Sequence, residues 1–95
     1  MKKSTLIYEV HMQTKYPKAN VEKVVNSMID VMTNSLKEGD SVSLYGFGSF
    51  LISKREAKEV FLPGSSIKVK VPSKTVVKFK PSKKLKTILE EEEVD

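Results

Sequence analysis

Between residues 21 and 36 the apolar side chains return every three or four positions, and from residue 42 onward they return every second position. That change of period constrains the fold most, because a repeat near 3.6 lines one face of a helix and a repeat of two lines one face of a strand. Val21, Val24, Val25, Met28, Ile29, Met32 and Leu36 make the helical stripe, while Glu22, Lys23, Asn26, Asp30 and Asn34 fall on other faces. At roughly 1.5–3 kcal/mol per fully buried large aliphatic side chain, the stripe is expected to supply much of the drive to fold. Gly39-Asp40 ends this helix, since glycine enters the left-handed cap conformation without strain. Upstream, Leu6, Ile7 and Val10 outline a shorter helix, with Ser4 or Thr5 as its expected cap and Tyr16-Pro17 breaking the chain before the second.

Past Asp40, Val42 and Leu44 alternate with Ser41, Ser43 and Tyr45, and Phe50 and Ile52 alternate with Ser49, Leu51 and Ser53 around the turn Gly46-Phe47-Gly48. Such runs read as hairpin-connected strands. Further on, Ile67, Val69 and Val71 interleave with Lys68 and Lys70, then Val77 and Phe79 with Lys78 and Lys80, which predicts a solvent-directed lysine face. Pro63-Gly64 fits the central pair of a type II turn, so a long hairpin should have its tip near residue 63. Pro81-Ser82 then precedes a short helix over 83–89 with Leu85, Ile88 and Leu89 on its apolar face.

Ninety-five residues allow one domain with one core. The hydrophobic fraction of 39% suits a folded, soluble chain, and no apolar run is long enough to cross a membrane. Without cysteine there is no disulfide or thiolate metal site, and no signal-peptide core follows the basic start, so a cytoplasmic address is expected. Charge is unevenly spread: residues 1–53 sum to +1, residues 54–89 to +9 and residues 90–95 to −5. A positive block of that density calls for a polyanion, nucleic acid before an anionic membrane surface.

The outgoing segment 54–59 and the returning segment 65–74 hold too little apolar surface for a core on both sides, so this ribbon should project. What remains is marginal for an isolated domain, and a second subunit would complete the core. Phe47, Phe50 and Phe79 are the candidates for that shared centre, the plainer reading being that they fill a core within one chain. At the tip, Val60, Phe61, Leu62 and Pro63 are apolar where a solvated turn should be polar. Either they form a wedge that enters between base steps from the minor groove while lysines neutralise phosphates, or they pack against protein.

Gly46-Phe47-Gly48-Ser49-Phe50, Arg55, Pro63 and the run Phe79-Lys80-Pro81-Ser82-Lys83-Lys84-Leu85-Lys86 resemble the pattern of the bacterial HU and integration host factor proteins, the histone-like DNA-bending family. The resemblance extends from Lys3-Ser4-Thr5-Leu6-Ile7 to Leu89. It implies an α+β fold of two N-terminal helices, a three-stranded antiparallel sheet extended into a β-ribbon arm over about 54–76, and a short C-terminal helix, two copies intertwining as a dimer. It further implies that Phe47, Phe50 and Phe79 build the dimer core and that Pro63 intercalates. By the same resemblance Arg55 and Lys58 contact the DNA backbone along the arm, and Lys80, Lys83, Lys86 and Lys3 meet phosphates beside the saddle. Lys68, Lys70, Lys74 and Lys78 complete the expected DNA-binding set, with Phe61 and Leu62 as additions to the wedge. The family's usual Gly-Arg-Asn before the tip proline is replaced here by Val60-Phe61-Leu62. With sixteen lysines and one arginine, point-charge neutralisation outweighs bidentate base reading, so weak sequence preference is expected.

No active site is visible. His11 is the sole histidine and has no carboxylate at ligand spacing, Glu56 and Glu59 have no nucleophile or base beside them and suit ion pairing with lysines, and Gly46-x-Gly48 lacks the continuation of a phosphate loop. Met12, Met28 and Met32 read as core fillers. The acidic run 90–95 follows the last helix where the dipole disfavours negative charge, so that end is expected to fray into a tail that competes with DNA. Together with the resemblance, these features imply a non-enzymatic architectural protein of the nucleoid, with double-stranded DNA as partner, no cofactor, no metal and no membrane. It would act as a homodimer or as half of a heterodimer with a paralogue. An RNA-binding or general polyanion-binding module, and a protein whose apolar tip grips another protein, are the competing readings.

Overall fold

A computed structural model describes residues 1–93. Helix α1 spans Lys3–Thr14 and α2 spans Lys18–Lys37; strands β1 (Val42–Leu44), β2 (Gly48–Arg55), β3 (Lys58–Phe61), β4 (Lys68–Val71) and β5 (Lys74–Pro81) follow, and α3 (Lys83–Glu93) closes the described chain. Strands β1, β2 and β5 form a three-stranded antiparallel sheet in the order β1-β2-β5, and β3 and β4 form a separate two-stranded ribbon. This is the α+β arrangement the change of period predicts.

The helical layer begins without the expected cap. Lys2 occupies the N-cap in an extended conformation and makes no side-chain capping bond, so Ser4 and Thr5 lie inside α1 rather than at its entrance. Lys15 ends α1 at φ +64°, its N–H donating to the His11 carbonyl at 2.9 Å. Pro17 opens α2, and its carbonyl accepts from the N–H groups of Asn20 and Val21. At the far end Gly39 takes φ +91°, its N–H donating to Leu36 and that of Asp40 to Ser35, the paired bonds of a Schellman cap.

Among the described residues Ile7, Val21 and Val25 are the buried hydrophobic ones, with Val10 packed beside them. The stripe on α2 is therefore only half used, because Val24, Met28 and Ile29 remain exposed. Helix α1 has twelve residues against twenty in α2 and covers the turns that carry Val21 and Val25, while Met32 and Leu36 further along are half-buried.

In the sheet, Val42 pairs with Phe50, Leu44 with Gly48, Phe50 with Phe79 and Ile52 with Val77. Residues directly opposite in an antiparallel pair point to the same side. One face thus gathers Val42, Leu44, Phe50, Ile52, Val77 and Phe79. Phe79 stands 5.0 Å from Phe50 and 5.7 Å from Phe47 between ring centroids, both tilted at 52°. Gly48 makes this packing feasible, since a Cβ there would lie 2.6 Å from the Phe79 ring and 2.8 Å from the Lys80 carbonyl. Yet Phe47 is 48% and Phe79 40% exposed: within one chain this apolar face lies open.

Helix α3 differs from expectation at its end. Ser82 caps it, the hydroxyl accepting from Leu85 N–H at 3.1 Å, and the helix continues through Glu90 to Glu93 instead of fraying after Leu89. Glutamate is a good helix former, and that propensity outweighs a dipole penalty of a few tenths of a kcal/mol for an exposed charge. Val94 and Asp95 of the expected tail lie outside the described residues.

Candidate nucleic-acid interface

Apart from Lys54, which pairs with Thr75 on the phenylalanine side, the lysines of the three-stranded sheet occupy the side opposite the phenylalanines. Arg55 pairs with Lys74, Ser53 with Val76, Leu51 with Lys78 and Ser49 with Lys80. Arg55, Lys74, Lys78 and Lys80 therefore share a face with a row of serines, of which Ser43 and Ser49 are bonded through their hydroxyls at 2.8 Å. Strict alternation is the cause, since each Lys-x-Lys step keeps its charges on one side and its Val or Phe on the other.

Beyond Arg55 the ladder pauses for residues 56 and 57 on one strand and 72 and 73 on the other. Two residues are skipped on each side, so none is gained or lost, and the alternation carries through into the arm. There Lys58 pairs with Val71, Glu59 with Lys70, Val60 with Val69 and Phe61 with Lys68. By this count Lys68, Lys70, Phe61 and Glu59 continue the basic face of the sheet. Lys58 falls on the opposite side from Arg55, so the two backbone-contact candidates on the outgoing strand are separated. Glu56 stands outside the strands, while Glu59 approaches Lys68 at 4.0 Å, the ion pairing expected of an arm carboxylate.

At the tip, Ser65 N–H donates to the Leu62 carbonyl at 3.1 Å around Pro63 and Gly64, the latter at φ +73°; this is the type II turn that Pro-Gly predicts. The tip does not pack against the body of its own chain. Phe61 is 61% exposed, with the Lys68 ammonium 5.7 Å from its ring centroid, and Leu62 is exposed on the other side of the ribbon.

The third part of the interface is where α3 meets the sheet. Ser82 N–H donates to the Phe47 carbonyl at 2.9 Å, fixing the start of α3 beside the β1–β2 turn. Lys80 and Lys83 then border a hollow shared with Ser43, Ser49, Ser82 and Tyr45. Lys83 and Lys86 are three apart on one side of α3, near the helix end whose free N–H groups favour an anion. Tyr45, fully exposed on the turn, and Lys84, whose stem lies 3.6 Å from where a Gly46 Cβ would be, are neighbours that sequence reasoning missed. The alternation sets Tyr45 on the outward side with Ser41 and Ser43, but a single outward aromatic carries no signal of binding in sequence. Lys3 stands apart from the sheet, its ammonium donating to Asn26 Oδ1 at 2.9 Å and tying α1 to α2. None of the described helices is long and apolar enough to cross a membrane.

The sequence profile of the family described as Bacterial DNA-binding protein matches residues 1–90. The chain belongs to the HU family of bacterial DNA-binding proteins. It is 36% identical over 86 residues to DNA-binding protein HU-1 of Halalkalibacterium halodurans, covering 90% of this chain and 96% of that one. DNA-binding protein HU 1 of Bacillus subtilis is 35% identical over the same length, covering 90% and 94%. Among solved structures, the HU chain of an Anabaena HU–DNA cocrystal superposes with a TM-score of 0.77 at 27% identity, over 94% of this chain and 97% of that one. An HU fold thus underlies the two faces described above.

Proposed function

We propose that two copies of this chain form a dimer that binds duplex DNA in the minor groove and bends it, as an architectural component of the nucleoid without enzymatic activity. The observation that carries this reading is the two-sided ribbon. Its basic side, Arg55, Lys74, Lys78 and Lys80 followed by Lys68 and Lys70, runs from the sheet to the arm, while its other side holds the exposed Phe79 beside the half-buried Phe50. A partner subunit covers the apolar side and DNA the basic side. Membership of a family whose relatives are named DNA-binding protein HU, one of them in a cocrystal with DNA, supports the same conclusion.

Mechanically, the lysines of the sheet and Lys83, Lys86 and Lys3 neutralise phosphates on the concave side of the bend and release counterions. Bending costs on the order of 1–6 kcal/mol by elastic estimates, offset by these contacts. At each arm tip Pro63 wedges between base steps, and Phe61, on the lysine-bearing side, adds an apolar surface to the wedge. Lysine point charges leave the protein weakly sequence-selective.

Analytical ultracentrifugation with and without a nicked duplex tests assembly and binding together. A dimer that takes up the duplex, with affinity falling steeply as salt rises, is the expected result. A monomer indifferent to duplex at low salt overturns the reading, and equal affinity for single-stranded RNA favours a general polyanion binder.

A further inference from the structure

The basic side of the arm contains one group of the opposite sign. Between residues 57 and 89 the chain has nine lysines and a single acid, Glu59. Glu59 pairs with Lys70 and Phe61 with Lys68, so the register sets the carboxylate on the side of the ribbon that carries Lys68, Lys70 and Phe61. Its Oε2 stands 4.0 Å from the Lys68 ammonium, which in turn lies 5.7 Å from the centroid of the Phe61 ring. Both side chains of the ion pair are more than half exposed, and a pair so long and so wet is loosely held. A carboxylate on a surface that meets phosphates weakens binding unless something on the nucleic acid donates to it.

We infer that Glu59 is a specificity-determining residue that selects a G·C pair in the minor groove beside the wedged step. The inference rests on the DNA-binding reading above and names what one side chain of that interface reads. In the minor groove, A·T and T·A pairs show only acceptors, adenine N3 and thymine O2, while a G·C pair adds one donor, the guanine N2 amino group. Only that amino group can bond to a carboxylate. Lys68 and Glu59 set an N–H donor beside an oxygen acceptor, which complements the G·C edge: Lys68 donates to cytosine O2 or guanine N3 while Glu59 accepts from guanine N2. Over an A·T pair Lys68 still finds an acceptor, but Glu59 faces lone pairs, and in the narrow minor groove of an A-tract it meets an enhanced negative potential. Discrimination thus works by rejecting A·T as much as by holding G·C. Glu59 lies two strand positions from Phe61, about 7 Å along the strand, so the pair it reads is within about two base pairs of the step that Phe61 and Pro63 enter. The lysines elsewhere are indifferent to sequence, so the preference is confined to one pair per arm.

The test compares a nicked duplex with the same duplex in which inosine replaces guanine, a change that removes the N2 amino group and leaves the major-groove edge intact. Affinities of the unaltered chain and of Glu59→Ala are measured by fluorescence anisotropy at one fixed salt concentration. Inosine also alters the width and stiffness of the groove, but that acts on both proteins alike, so the ratio of the two preferences isolates Glu59. The unaltered protein is expected to favour the guanine duplex on the order of tenfold more than the variant does, counting both arms of a dimer. Glu59→Ala should also bind the inosine duplex more tightly than the unaltered chain. Glu59→Gln guards against a disturbed arm: it keeps the length of the side chain, and because its amide also donates to A·T acceptors it should lose most of the preference. If both variants change the two affinities by the same factor, the inference is overturned and Glu59 is a charge that only lowers binding. An unaltered chain that binds neither duplex at low salt strikes the DNA-binding reading itself, whereas binding to both without dependence on Glu59 leaves that reading standing and rejects this one.

Discussion

Lys15 holds the left-handed conformation that glycine adopts without cost, at φ +64°. A side chain with a Cβ is strained there by roughly 1–2 kcal/mol, and part of what glycine would recover is lost to the freer unfolded chain. Lys15→Gly should stabilise the protein by about 0.5–1 kcal/mol, read as a raised midpoint in chemical denaturation. Nothing in the sequence marks this strain, because a lysine before Tyr16-Pro17 looks like any surface residue. Pro63-Gly64, by contrast, was legible, since both residue types have a single favoured place in a type II turn. The tip also separates two residues that sequence alone treats as a pair. Phe61 lies on the lysine side and Leu62 on the other, so Phe61→Ala should reduce the DNA bend measured by end-to-end energy transfer while Leu62→Ala leaves it nearly intact. Bend and affinity unchanged in both variants but lost in Pro63→Ala would confine the wedge to the proline.

At the scale of elements, the two periods identified the helices and strands because alternation and the 3.6 repeat are imposed by backbone geometry rather than by context. Helix α3 shows where that reasoning fails. Its lysines crowd the N-terminal turn and its glutamates the C-terminal turns, the reverse of what the dipole favours, yet the helix runs through Glu93. Local propensity and Ser82 capping prevail over an exposed electrostatic term. Glu90 and Glu91 thereby continue the helix that begins with Lys83, Lys84 and Lys86. We propose that they lower the attraction of this end of the protein for DNA. Deleting residues 90–95 should raise duplex affinity, most at low salt where the Debye length is about 30 Å, and gel shifts across a salt series would measure it. An unchanged affinity at every salt concentration would mean that DNA passes beyond reach of α3's acidic end.

The whole molecule is open for a chain of its length. Its radius of gyration is 19.8 Å, against about 12 Å for a compact chain of this length, and it extends over 63 × 39 × 22 Å. The scarcity of apolar residues in 54–59 and 65–74 foretold a projecting ribbon, and the sequence singled out Phe47 and Phe79, but no periodic mark distinguishes Val24, Met28, Ile29 and Val77 from apolar residues covered within the chain. Val24, Met28, Ile29, Phe47, Val77 and Phe79 all remain accessible. If a second copy covers them, folding and association are one equilibrium, and stability depends on concentration. A hundredfold increase in protein should add about 2.7 kcal/mol of apparent stability and raise the melting temperature measurably. Phe79→Ala separates the cases further. In a shared core it should cost about 3–5 kcal/mol and lower dimer formation in ultracentrifugation, whereas a side chain left 40% exposed in a solitary subunit would cost much less. A melting temperature independent of concentration, together with a mild Phe79→Ala, would mean that the open face needs no partner subunit.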